Sequence, residues 1–124
     1  MIRIFRVNRD QVVARLRDWA QSLRGKPEVL AVVLFGSFAR GDSTAASDAD
    51  LLLLLRDSLL RFDERIPLYR PTGLGVSVDL FPYTLAEARR SLKEGWGVVP
   101  AALAEGRTLY SASGAPRLED IASQ

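Results

Sequence analysis

The chain has 124 residues, a net charge of +2, 48% hydrophobic and 26% charged residues, and neither cysteine nor histidine. That balance fits one soluble globular domain, able to bury a core without covalent or metal staples. It excludes disulfides, zinc sites built on Cys or His, thiol nucleophiles and any histidine-based triad, so catalysis would rest on Asp, Glu, Ser, Tyr, Lys, Arg or bound metal.

No apolar run approaches the ~20 residues that cross a bilayer, and the charged N-terminus does not resemble a signal peptide. A cytoplasmic protein without membrane contact is expected. Residues 1–26 carry seven basic side chains against Asp10 and Asp18. Such an end could meet nucleic acid or an acidic partner. A solvated helix face explains it as well, and direct nucleic-acid binding is not expected.

Residues 2–7 alternate weakly and read as a short edge strand. Asn8 and Gln11 form a capping-box pattern that would open a helix. Val12, Val13, Leu16, Trp19, Ala20 and Leu23 then make one apolar stripe, and Gly25 and Pro27 end it. Val29–Phe35 is a continuous apolar run rich in β-branched residues, as a buried strand requires. Gly36-Ser37 punctuates it, 38–42 makes one or two helical turns, and 43–47 is a polar loop. Residues 48–55 read as a second buried strand, with a buried helix as the competitor, because leucine is a poor strand former.

Asp57-Ser58 would cap a helix carrying Leu59, Phe62 and Ile66, and a loop is expected from Pro67 through Gly75. Val76, Val78 and Leu80 alternate with polar or differently facing residues, a strand signature. Thr84 and Glu87 form another capping box, opening a helix that Gly95 closes. Pro100 and Gly106 bracket a short helix, 107–111 forms a last strand, and 112–124 is a weakly ordered tail. The domain is thus expected to span residues 1–111.

Three features carry chemistry. Gly36 lets backbone amides approach a ligand with no Cβ between them, and Ser37 adds a hydroxyl, so the turn could hold an anion. An ordinary turn is the alternative. Asp48 and Asp50, at i and i+2 on a strand, project to one face, and Asp79 on a later strand can join them. Three carboxylates about 5 Å apart repel by roughly 3 kcal/mol per pair at an effective dielectric near ~20, which calls for a raised pKa or bound cations. All-oxygen ligands suit Mg²⁺, and two such ions could clamp the attacking and leaving oxygens of a phosphoryl displacement. Singly, each aspartate is equally well a cap or a strand-edge residue.

Taken together, G-S-F-A-R-G at 36–41, ten residues between Ser37 and Asp48, S-D-A-D-L at 47–51 and V-D-L at 78–80 resemble the minimal nucleotidyltransferase (MNT) domains of the DNA polymerase β-like superfamily. The likeness implies an α/β (α+β) fold with a small mixed sheet flanked by helices. It implies that Gly36 and Ser37 hold the phosphates of a nucleoside triphosphate and that Asp48 and Asp50 bind two Mg²⁺. Asp79 would bind the metal on the nucleophile's side and could take the hydroxyl proton. The family often has a basic residue where this chain has Phe38. Arg40 matches a recurrent arginine and is carried as a phosphate contact, although a salt bridge to Asp42 or Asp48 is its preferred role.

Only a catalytic platform is legible, so the acceptor's recognition surface is expected on another molecule. Minimal domains of this kind resemble antitoxins paired with a helical HEPN protein, in which AMP from ATP goes to a tyrosine hydroxyl of the partner. Nucleotidylation of a small molecule such as an aminoglycoside by a homo-oligomer, or docking without catalysis, are the alternatives.

Overall fold

The computed structural model describes residues 2–44 and 46–122, with side chains from Arg9 onward. Four strands form one mixed sheet in the order β3-β2-β1-β4: β1 Val29–Phe35, β2 Ala49–Leu55, β3 Val78–Thr84 and β4 Arg107–Ser111. Strand β2 pairs antiparallel with β1 and parallel with β3, while β4 pairs antiparallel with the other side of β1.

Each face of the sheet carries its own core. Helix α1 (Ile2–Ser22) lays Val12, Leu16 and Ala20 on one face, against Val32, Leu34, Leu51, Leu53, Leu55 and Leu109. On the other face Leu30, Ala31, Val33, Leu52 and Leu54 meet the helices α4 (Leu85–Glu94), α5 (Val99–Glu105) and α6 (Leu118–Ala122) through Ala88, Val99, Ala102 and Ile121. Leu30 and Ala31 face the same side because the β1–β2 register shifts between Val29 and Ala31, a bulge that adds a residue to one strand.

These two cores decide the leucine run. With helices on both faces and strands on both edges of β2, every one of Leu51–Leu55 is buried. A central strand covered twice reads as continuous apolar sequence, and here that environment overrides leucine's weak strand propensity.

Three expectations are corrected. Residues 2–7 belong to α1, which runs through Asn8. A lone edge strand needs a partner, and the only strands among the described residues already make the four-stranded sheet. Helix α3 begins at Phe62, not at Asp57-Ser58, and extends to Tyr69 with Pro67 inside it. The Ser58 hydroxyl accepts from the Leu60 N–H, a local turn that competes with helix initiation. Finally, the segment after β4 contains α6, and Ile121, only 2% exposed, anchors it in the second core.

The capping box at Thr84 forms as the pattern implies: the Glu87 N–H donates to Thr84 Oγ1 at 3.2 Å, and the Thr84 N–H to Glu87 Oε1 at 2.8 Å. Glu87 has a second task. Arg65 of α3, 4% exposed, donates to Glu87 Oε1 at 2.6 Å and Oε2 at 3.1 Å, and to the carbonyls of Pro82 and Leu60. This fork ties α3 to β3 and α4. Burial alone would raise the Glu87 pKa; the Arg65 hydrogen bonds, helped by the Thr84 N–H, outweigh it and hold the carboxyl below its usual 4.5.

Removing one partner of such a buried pair leaves the other uncompensated. Arg65→Leu should therefore lower stability by about 2–3 kcal/mol in urea unfolding. Because the folded pKa of Glu87 is depressed, its stabilisation is present above about pH 4.5 and is lost as pH falls through the folded value. Unfolding curves between pH 3 and 6 should show a shallower acid loss in Arg65→Leu than in the native sequence.

Candidate active site

The antiparallel pairing of β1 with β2 and β4, and the parallel pairing of β2 with β3, bring four chain segments to one end of the sheet. There β1 ends at Phe35, β2 begins at Ala49, β3 begins at Val78 and β4 begins at Arg107.

At that end Asp50 lies opposite Asp79 in the parallel register, and opposite Phe35 across the antiparallel one. Both aspartates share the face of Leu52, Leu54 and Tyr83, since side chains alternate along a strand. Asp48 precedes β2 by one residue. Asp48 and Asp79 are exposed and Asp50 is half-buried. The Asp50 carboxyl is pushed above its usual range, first by burial, then by the negative charges of Asp79, Asp48 and Glu105, with Arg40 opposing them. Asp48 and Asp79 thus lie near enough for their charges to act on Asp50. As the side chains stand, no three of the described acidic residues close into a ready metal cage. The chemistry of the set, hard oxygen donors around a carboxylate already destabilised by like charge, fits a divalent cation such as Mg²⁺.

The Gly-Ser turn closes the other side. Gly36 has φ +75°, and a Cβ built there would overlap Asp50 Oδ2. Only glycine both adopts that conformation readily and leaves room for the carboxylate. From Ser37 the chain turns into α2 (Ser37–Arg40), and the N–H groups of Ala39 and Arg40 bond back to the Gly36 carbonyl. Phe38, 2% exposed, plugs α2 into the first core. Its side chain is committed to that core and offers no polar group at the turn. Arg9 of the basic N-terminal segment donates to the Phe38 carbonyl at 2.6 Å and so braces the turn.

Arg40 bridges two acids, Asp42 at 3.1 Å and Glu105 at 2.7 Å. Glu105 also accepts the Gly36 N–H at 2.6 Å. Sequence reasoning missed this residue. The signal exists only in two dimensions: Leu34 pairs with Arg107, so carrying the register two residues further sets Gly36 beside Glu105.

Residues 18–113 match the family model described as Polymerase beta, Nucleotidyltransferase. The chain belongs to that family. It is 31% identical over 97 residues to a putative protein adenylyltransferase of Methanocaldococcus jannaschii, an alignment covering 77% of this chain and 94% of that one. The family and this relative make the chain an adenylyltransferase-like nucleotidyltransferase. In fold it is similar to a solved putative nucleotidyltransferase from Sulfolobus solfataricus, with TM-score 0.61, 17% identity and 90% of each chain covered. A toxin–antitoxin structure with AMP-PNP is a weaker likeness, with TM-score 0.48, 21% identity, and 94% of this chain and 82% of that one covered. Among the described residues of this nucleotidyltransferase, no helix is long and apolar enough to cross a membrane.

Gly36→Ala tests the turn independently of activity. Positive φ and the overlap with Asp50 should together cost about 1–3 kcal/mol, read as a lower urea midpoint with an unchanged m value. Gly114→Ala, also at positive φ but with nothing near its Cβ position, should cost less.

Proposed function

We propose that this nucleotidyltransferase moves AMP from ATP onto a hydroxyl group, with Mg²⁺ as cofactor, and that the acceptor is a tyrosine of a helical HEPN-type partner that it neutralises as an antitoxin. The observation that carries the reading is the Asp50–Asp79 pairing on one sheet face, with Gly36 packed against Asp50. That arrangement sets an anion-tolerant turn beside acids whose like charge invites a cation. The relative from M. jannaschii, named as a protein adenylyltransferase, supports AMP as the transferred group and a protein as its acceptor.

In this reading the Gly36 N–H and the Ser37 hydroxyl hold the terminal phosphates of ATP, and Arg40 adds positive charge beside them. Asp48, Asp50 and Asp79 would hold the Mg²⁺ ions. Bound there, the metal would offset phosphate charge and lower the pKa of the attacking hydroxyl. Asp79, exposed at the edge strand, is open to an incoming acceptor and takes the hydroxyl proton as the oxygen attacks the α-phosphorus. The Gly36–Ser37 turn retains the departing pyrophosphate. Because the acceptor hydroxyl attacks from outside the domain, in line with the bond that breaks, the partner's surface sets specificity.

Labelled ATP, Mg²⁺ and the HEPN partner should give labelled partner with the native protein. Asp50→Asn and Asp79→Asn should each slow labelling by about a hundredfold or more, since each removes a carboxylate from the site where charge is offset. Equal labelling by Asp50→Asn would end the catalytic reading. Restraint of the partner by both forms, without label, would leave docking alone. Label on an aminoglycoside instead would move the acceptor to a small molecule.

A further inference from the structure

Glu105 sits where the proposed function needs a phosphate. Its Oε2 alone receives both the Gly36 N–H at 2.6 Å and Arg40 Nη1 at 2.7 Å. One backbone donor and one guanidinium converging on a single anionic oxygen is how a protein holds a phosphate oxygen. Glu105 is also one of the negative charges that Asp50 feels. From the assignment of Gly36 and Arg40 to the phosphate of ATP, we infer that Glu105 is an internal stand-in for that phosphate. It holds the turn and must leave when a nucleotide enters, so Glu105 sets nucleotide affinity.

Two features favour competition over a shared role. A phosphate and Glu105 are both anions, and bringing them to the same N–H costs Coulomb energy on top of the lost hydrogen bond. The carboxylate side chain is also about a quarter exposed, so it can rotate into water without a cavity opening behind it. The backbone, by contrast, is fixed. The Gly106 N–H bonds to the Ala102 carbonyl, and a Cβ at Gly106 would meet that carbonyl and Val33 of β1. Release is therefore a rotation of one side chain, with α5 and β4 staying in place. While it is bound, Glu105 does useful work on the turn: it keeps the Gly36 N–H and Arg40 aimed at one point and offsets part of the Arg40 charge.

The cost follows from mass action, because a ligand's apparent affinity falls in proportion to the fraction of protein competent to bind it. A turn held by Glu105 about nine-tenths of the time binds ATP about tenfold more weakly than an open one. Binding of ATP with Mg²⁺, of inorganic tripolyphosphate and of adenosine should be measured by calorimetry on the native protein, Glu105→Gln and Glu105→Ala. The amide keeps an acceptor for the Gly36 N–H but drops the charge, and should fold as the native chain does.

We expect ATP and tripolyphosphate to bind about tenfold tighter to Glu105→Ala and by a smaller factor to Glu105→Gln, with adenosine unchanged. Equal ATP affinity in all three proteins overturns the inference and leaves the transferase reading standing. Weaker binding to both variants overturns it too, making Glu105 a positioning residue for the turn. If none of the three proteins binds ATP or tripolyphosphate, the nucleotide reading fails and the inference falls with it.

Discussion

The structure depends on the parallel pairing of β2 with β3. It places Asp50 directly across from Asp79, with neighbouring strands only about 4.8 Å apart. Like charges facing each other across strands oppose the pairing, so something else must hold the register. That is the leucine run. Leu51–Leu55 are buried on both faces, and a one-residue slip would exchange the contents of the two cores and turn Asp50 into an apolar layer. The apolar interior thus holds the two acids opposite each other against their repulsion, and the unfavourable pair stays available to a ligand.

The same economy explains why the site collects at one end. Every site residue lies where the chain enters or leaves the sheet: Gly36 just past β1, Asp48 and Asp50 at the start of β2, Asp79 at the start of β3, and Glu105 just before β4. Antiparallel pairs with one parallel pair are what bring these four points together. Where the ladders end at this rim, the backbone N–H groups turn to loop carbonyls, to the first turn of α2 or to side chains for their acceptors. Gly36 illustrates this: its N–H bonds to a carboxylate where another residue of β1 would bond to a strand.

Much of this was legible in the sequence because it is written in local patterns. The β-branched run gave β1 its observed bounds, Thr84 and Glu87 announced α4, and Pro100 with Gly106 bracketed α5. The i, i+2 argument for Asp48 and Asp50 assumed one strand, and β2 takes in only Asp50, with Asp48 just ahead of it. What stayed hidden was non-local. Whether Leu51–Leu55 is strand or helix depends on two flanking strands and two covering layers that no window around residue 53 contains. Arg65 looks like one arginine among fifteen until α3 folds back and buries it against Glu87. The start of α3 was misread because Asp57 and Ser58 have the chemistry of caps, and only the observed Ser58–Leu60 turn shows that chemistry spent on another motif.

Glu105 is the sharpest instance, and it bears on how the turn proposed to take a phosphate is held in order. Without Glu105 the turn would be electrostatically unsettled: the Gly36 N–H would lose its acceptor, Arg40 would keep only Asp42, and the like-charged acids would still call for a cation. One carboxylate from the neighbouring strand connection addresses the first need and aggravates the second, since it adds negative charge next to Asp50. A bound metal–nucleotide pair would reverse both terms, with phosphate oxygens replacing Glu105 on the donors and cations meeting the aspartates. In the proposed reading, binding would then take one side-chain rotation rather than a movement of the fold. That is what a sheet rim held rigid by two cores permits.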